Sequence, residues 1–290
     1  MKKFGIISLL VISLFALAAC GKDTGAEKKE EKKEVVIGVT GTDGEQWNVL
    51  KELAEKEGIT ITLQEFSDYT LPNKALADGD IDLNSFQHIA FLSQFEKENN
   101  TGLVPIGATV IAPLGIYSSK VKDVNEVKEG DKVAIPDDPS NQGRALQLLQ
   151  SAGLIKLADN AGLFADVSQI TENKRNLDII PMVAQQTPRA LEDVTLSIIN
   201  NGIAGQAGFD PLKDPIYLED AESEEAQPYV NIFAAKAADK DNKVLQRIVE
   251  LYHDQAVIDE VQKETAGGSI VVERTGAELE KVLKDLQEEK

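Results

Sequence analysis

The chain has one cysteine, two histidines and no recognisable catalytic signature in 290 residues, and each scarcity removes a class of protein. With Cys20 alone, neither a disulfide framework nor a C-x-x-C redox or metal pair can form. His88 and His253 lie far apart, so zinc-ligand spacing is missing, although a carboxylate cluster for a cation stays open at this level. The G-x-S-x-G nucleophile elbow, the G-x-x-x-x-G-K-[ST] phosphate loop and the H-E-x-x-H helix are all lacking. The sequence therefore reads as a non-enzyme without a cofactor. Basic residues are few as well: 30 Lys and Arg stand against 49 Asp and Glu, for a net charge of −19 spread along the chain. A polyanion binder needs a basic footprint, so nucleic acid is excluded as a partner. The N-terminal apolar run, Phe4 to Leu17, falls short of the roughly 20 residues of a membrane span.

That run is flanked informatively. Lys2-Lys3 precede it and small residues follow in Leu17-Ala-Ala-Cys20-Gly21, so residues 1–19 read as a signal peptide. The junction resembles the bacterial lipobox, in which the cysteine is lipidated and becomes the mature N-terminus. The competing reading of Cys20 as a free or buried thiol fits poorly at the end of an export signal. A lipid on Cys20 anchors the chain on the extracytoplasmic face of the cell membrane and withdraws its only thiol from chemistry. Residues 20–34, highly charged and without a large apolar side chain, are expected to be a flexible tether.

The remainder has an ordinary globular composition, 42% hydrophobic and 27% charged, with length for two domains. Residues 35–40 read as a strand, 45–58 as a helix with Trp47, Leu50, Leu53 and Ala54 on its buried stripe, and 59–63 as a second strand. This β-α-β unit points to an α/β fold. A short helix is expected over 71–78, a strand over 81–86 and a helix over 90–98. The strand–loop–helix pattern restarts at 132–135, with Ser140 as the N-cap of a helix over 141–152. Later strands are expected at 176–180, 194–200 and 229–234, and helices at 181–191, 242–261 and 275–286, the second of these amphipathic throughout.

Candidate site residues collect at element ends, where open α/β sheets bind ligands. Phe86 and His88, two apart on an extended segment, point to one side and with Tyr69 make an apolar wall. Arg144, at the end of the first turn of the helix over 141–152, would bring a guanidinium fork and free backbone N–H groups onto one carboxylate. An ordinary surface arginine is the alternative. Asn141, Asn200 and Asn231 each donate and accept, which suits the polar groups of an amino acid, though any single Asn serves as readily in a turn or cap. His253 reads as a solvated or capping residue.

Four segments carry a resemblance: Asp68-Tyr-Thr-Leu-Pro-Asn-Lys-Ala-Leu76, Gly79-Asp-Ile-Asp-Leu-Asn-Ser-Phe-Gln-His88, Val133-Ala-Ile-Pro-Asp-Asp-Pro-Ser-Asn-Gln-Gly-Arg-Ala-Leu146 and Pro228-Tyr-Val-Asn231. From lipobox to C-terminus the chain resembles the methionine-binding lipoproteins of bacterial ABC importers, the MetQ/NlpA family. The resemblance implies a periplasmic-binding-protein-like fold of type II, two α/β lobes joined by two crossing segments with the ligand in the cleft. Lobe 1 would comprise residues 35–115 and 230–290, and lobe 2 residues 116–229. It also implies that Tyr69, Phe86 and His88 form a slot for a thioether side chain, that Arg144 clamps a carboxylate, and that Asn141, Asn200 and Asn231 surround the amino-acid backbone.

Implied partners are a permease and a separate ATPase, with no metal and no cofactor. Phe91 stands at the slot where a tyrosine is usual, Thr195 where an aspartate is usual, and Ile203 where an aromatic is common. These departures bear on the choice among L-methionine, D-methionine, the sulfoxide and a methionine-containing dipeptide. Because the aromatics come from one lobe and Arg144 from the other, only a closed form would satisfy both ends of a ligand. The reading from another class is a surface adhesin with the same anchor and no tightly held small molecule.

Overall fold

Alternating apolar residues open the folded part of the chain. The computed structural model describes residues 33–41 and 44–288, so the signal peptide, Cys20 and the expected tether up to residue 32 lie outside the described residues. Strand β1 (Glu34–Val39) buries Val35, Ile37 and Val39 and begins inside the expected tether, because Glu34 already pairs with Thr60 of β2 (Thr60–Glu65). Between them α1 (Glu45–Lys56) turns Trp47, Leu50 and Ala54 inward. Gly58, at φ 76°, lets the chain leave that helix and return as a parallel strand. Then follow α2 (Pro72–Asp78), β3 (Leu83–His88), α3 (Ile89–Asn99), β4 (Leu103–Ala108) and the short β5 (Val110–Ile111).

The next stretch builds a second layer: β6 (Gly115–Tyr117), β7 (Lys132–Pro136), α4 (Pro139–Ser151), β8 (Lys156–Leu157), β9 (Ile170–Glu172), β10 (Asp178–Met182), α5 (Thr187–Ala190), β11 (Leu196–Ile199), α6 (Asn201–Gln206) and β12 (Tyr217–Leu218). The chain then returns to the first layer with β13 (Asn231–Lys236), α7 (Lys243–Tyr252), α8 (Gln255–Glu264), β14 (Ile270–Val271) and α9 (Gly276–Glu288). The two five-stranded sheets run β2-β1-β3-β13-β4 and β10-β7-β11-β6-β12. β13 lies antiparallel between β3 and β4, and β6 antiparallel between β11 and β12. The chain passes between the sheets twice, after β5 and after β12.

Each sheet has its own core. Ile37, Leu50, Leu83 and Phe233 pack with Ile248 and Tyr252 on one face of the first sheet, while Leu76, Ile89, Ile232 and Leu279 fill the other. Val133, Ile135, Leu146, Leu149 and Ile198 form the core of the second. Trp47 packs inward as its stripe suggests, its ring 6.1 Å from Tyr252 and 6.5 Å from Phe233.

Three helices differ from the sequence reading. The amphipathic segment over 242–261 is two helices, because Asp254 accepts from Ala256 N and starts α8 afresh, and His253 turns aside so that Nε2 donates to Ala108 O at 2.9 Å. The six apolar residues Val244, Leu245, Ile248, Val249, Leu251 and Tyr252 are buried all the same. Pro181 belongs to β10, an edge strand where its missing N–H is tolerated, so the helix expected from 181 shrinks to α5 and a preceding 3-10 turn. Helix α4 starts at Pro139 with Asp138 as its cap, two residues before Ser140: proline suits the first helical position, and the Asp138 carboxylate reaches Asn141 N. Among the described residues, no helix is long and apolar enough to cross a membrane.

Candidate functional site

The site begins with a bulge. β3 opposes β13 through Gln87↔Ile232 and Asn84↔Ala234, so β3 carries one residue more than its partner over this stretch. Asn84 and Gln87, three apart, thereby share one side and meet Asn73 of α2 in a buried amide network. Asn73 Nδ2 donates to Gln87 Oε1 at 2.8 Å, Asn84 Nδ2 to Asn73 Oδ1 at 2.9 Å, and Gln87 Nε2 to Asn73 Oδ1 and Asn84 Oδ1 at 2.6 and 2.9 Å. This network pins α2 to β3 and so positions the loop that bears Tyr69.

Phe86 and His88 face the cavity instead. Tyr69, Phe86 and Phe91 touch pairwise, with ring centroids 6.0 Å (Tyr69–Phe86), 6.1 Å (Tyr69–Phe91) and 5.7 Å (Phe86–Phe91) apart. They form a three-sided apolar cage. Phe91 belongs there because it lies in the first turn of α3, whose N-cap is His88: His88 Nδ1 accepts from Phe91 N at 3.1 Å. That bond leaves the ring proton on Nε2, which donates to Asn141 Oδ1 of α4 at 3.2 Å. Burial, aided by the positive charge of Arg144, lowers the His88 pKa from 6.5 to about 3. The imidazole is thus a neutral bridge between the two sheets.

Across the cavity, Asn141 is fully committed. Its Nδ2 donates to both carboxylate oxygens of Asp138 at 3.0 Å, and its Oδ1 accepts from His88 and from Asn200 Nδ2, the latter at 2.7 Å. Asn231 Nδ2 donates to Val110 O at 3.1 Å and holds the first crossing segment. Asn200 Oδ1 and Asn201 Nδ2, by contrast, are buried without a hydrogen-bond partner among the described residues. Both residues line the cavity, so an unsatisfied acceptor and an unsatisfied donor belong to consecutive residues of its wall.

Arg144, 4% exposed, is placed differently from the sequence expectation. It lies in the second turn of α4, and in the first turn Pro139 has no N–H to offer while the Asn141 N–H is taken by the Asp138 carboxylate. Burial raises the Asp138 pKa, against the pull of those hydrogen bonds. The guanidinium is already paired: Nε donates to Glu219 Oε1 at 2.9 Å, and Nη2 donates to Glu219 Oε2 at 2.5 Å and to Ala112 O at 2.9 Å. It stacks 4.3 Å from the Tyr229 ring centroid, and Tyr229 in turn lies 5.2 Å edge-on from His88.

The structure gathers Tyr69, Phe86, His88, Phe91, Asn141, Arg144, Asn200 and Asn231 around one cavity of about 770 Å³ between the sheets. Ile203 lines it too, whereas Thr195 lies outside that lining, immediately before β11, its N–H donating to Lys132 O at 2.9 Å and its carbonyl accepting from Ser118 Oγ at 2.7 Å. Sequence reasoning passed over Asp138, Asn201 and Glu219. The Asp138-Pro139 pair was a readable helix start, whereas Asn201 differs from Asn200 by one position and Glu219 sits among other acids without periodicity.

Two α/β layers enclosing a cavity lined by aromatic rings and amides are the architecture of a two-lobed solute-binding protein. The chain belongs to the NlpA lipoprotein family, whose sequence profile matches residues 35–272. It is 40% identical over 273 residues to the D-methionine-binding lipoprotein MetQ of Salmonella typhimurium, which spans 93% of this chain and 97% of the relative. Protein PG110 from Staphylococcus aureus superposes with a TM-score of 0.85 at 49% identity, covering 87% of this chain and 99% of that one. The substrate binding protein of a methionine transporter from Streptococcus pneumoniae superposes with a TM-score of 0.78 at 35% identity, covering 83% and 96%.

Proposed function

We propose that this protein is the substrate-binding lipoprotein of an ABC importer. It captures methionine between lobe 1 (residues 35–115 and 230–290) and lobe 2 (residues 116–229) and delivers it to a permease driven by a separate ATPase. A lipid on Cys20 holds it to the extracytoplasmic face of the cell membrane. The observation that carries the reading is the Tyr69–Phe86–Phe91 cage in the wall of one cavity that Asn200, Asn201 and Arg144 also line.

A thioether sulfur meets ring edges in such a cage, each contact contributing about 0.3 to 1.5 kcal/mol. The ligand ammonium donates to Asn200 Oδ1, and its carboxylate accepts from Asn201 Nδ2 and from Arg144 Nη1. Methionine binding by relatives supports this ligand, and the L-isomer is the one we assign; the D-isomer, the sulfoxide and a methionine-containing dipeptide are the alternatives. His88 has both ring nitrogens engaged and is neutral, which supports a binding protein over an enzyme.

Mass spectrometry of purified, denatured protein tests the reading first, followed by calorimetry against L-methionine, D-methionine, the sulfoxide and a methionine dipeptide. The expected result is tightest binding of L-methionine, weakened by about 1.5 to 3 kcal/mol in Arg144→Ala, the scale of a hydrogen bond to a charged group. Absence of any bound amino acid, with no heat for any ligand, would favour the adhesin reading instead.

A further inference from the structure

We infer that Glu219 is the residue that makes this site select a net-neutral zwitterion over an anion, by occupying the donor edges of Arg144 and cancelling its charge. The inference rests on the proposed function and deepens it.

An incoming carboxylate has two bidentate approaches to a guanidinium, side-on to Nε and Nη2 or end-on to Nη1 and Nη2. Glu219 takes Nε and one N–H of Nη2, and Ala112 O takes the other N–H of Nη2. Both approaches are closed. What is left is Nη1, which makes no hydrogen bond among the described residues.

The surroundings agree. Among the described residues that line the cavity, Arg144 is the one cationic side chain; the other charged ones are Glu65 and Glu264, and His88 is neutral. A site built to hold an anion would leave that cation uncompensated. Here Glu219 is itself fixed, 13% exposed, with Oε2 also accepting from Leu114 N at 3.0 Å and its own N–H donating to Leu114 O at 2.9 Å. The carboxylate therefore cannot swing away to free the fork without also giving up its bond from Leu114 N. Beyond the single donor group Nη1, ligand charge is met by the neutral amides of Asn200 and Asn201 in the cavity wall, Oδ1 of the first suited to an ammonium and Nδ2 of the second to a carboxylate. A ligand lacking its ammonium brings a net negative charge into a site with no net positive one and leaves Asn200 Oδ1 unsatisfied.

The test is calorimetry of the full-length protein with methionine and with 4-(methylthio)butanoate, which is methionine without its amine. Wild-type protein is expected to prefer methionine by at least a hundredfold. Glu219→Gln should shrink that preference at least tenfold, mainly by tightening the butanoate, since the lost contact to Asn200 is common to both proteins and cancels. A merely structural role would change both affinities by the same factor, and that result overturns the inference.

Because a buried guanidinium without its partner can prevent folding, a second comparison uses Arg144→Met and the pair Arg144→Met with Glu219→Met. Arg144→Met leaves Glu219 uncompensated, so adding Glu219→Met should recover at least tenfold in methionine affinity. No recovery overturns the inference. Wild-type protein that binds no methionine overturns the functional reading and this inference together, whereas methionine binding with the preference unchanged in Glu219→Gln overturns this inference alone.

Discussion

Lowering the pH from 7.5 to 4.5 should cost wild-type protein about 3 kcal/mol more folding stability than it costs the His88→Gln variant. His88 titrates near 6.5 in an unfolded chain and at about 3 in the folded one. Between those values the unfolded state binds one proton more than the native state, so stability rises with pH across the window. The contribution is intact above 6.5 and is lost as pH falls toward 3. At 1.36 kcal/mol per pH unit, the whole window is worth about 5 kcal/mol and the part above pH 4.5 about 3 kcal/mol.

The physical cost is local. A proton on Nδ1 would face the Phe91 N–H that this nitrogen now accepts, next to the Arg144 charge and 5% exposed. Glutamine at 88 keeps one donor and one acceptor but does not titrate. Urea denaturation of both proteins at the two pH values measures the effect, because Asp138 and the remaining carboxylates titrate in both and drop out of the difference. Equal losses in the two proteins would refute the neutral, doubly bonded imidazole as the bridge between the lobes.

Two further perturbations probe what holds the site. Asn73→Ala strips partners from Asn84 and Gln87, both buried, and should cost about 2 to 4 kcal/mol in urea denaturation; a change under about 0.5 kcal/mol would show that the amide network contributes nothing. Gly143→Ala would put a Cβ 2.1 Å from Leu163 O and 3.0 Å from Ala165 N, so the variant should lose about 2 to 3 kcal/mol and melt roughly 5 to 10 °C lower by calorimetry. An unchanged melting temperature would contradict the close approach of that loop to α4.

Local periodicity made much of the architecture legible. The β1–α1–β2 unit, α2 ended by Gly79 at φ 87°, and the buried stripe of α7 follow from apolar spacing and one glycine. The break between α7 and α8 was hidden because the apolar stripe continues through it, and only the competition of Asp254 for a backbone N–H reveals it.

At the site, Tyr69, Phe86 and His88 were readable as one wall because they fall within one short stretch, Tyr69 in the loop before α2 and Phe86 and His88 on β3. The engagement of Arg144 was not, since its partner lies 75 positions away in a loop whose acids look alike. The reading of the α4 N-terminus as an open anion site failed for a nearer reason: Asp138 competes for those N–H groups, and its closeness in sequence gives it the advantage.

The place of β13 in the first sheet has a temporal side. β3 and β4 are adjacent in sequence but not in space, and the gap between them is filled only by residues 231–236. A chain delivered N-terminus first therefore carries all of β6 to β12 past the exit before its first sheet can close. The second sheet, by contrast, is continuous in sequence and can close on its own as soon as β12 has emerged. The cavity wall supplied by β3 is consequently the last to be backed by a finished sheet. For an exported chain, the half that carries the aromatic cage is thus the half that stays exposed longest before the protein is whole.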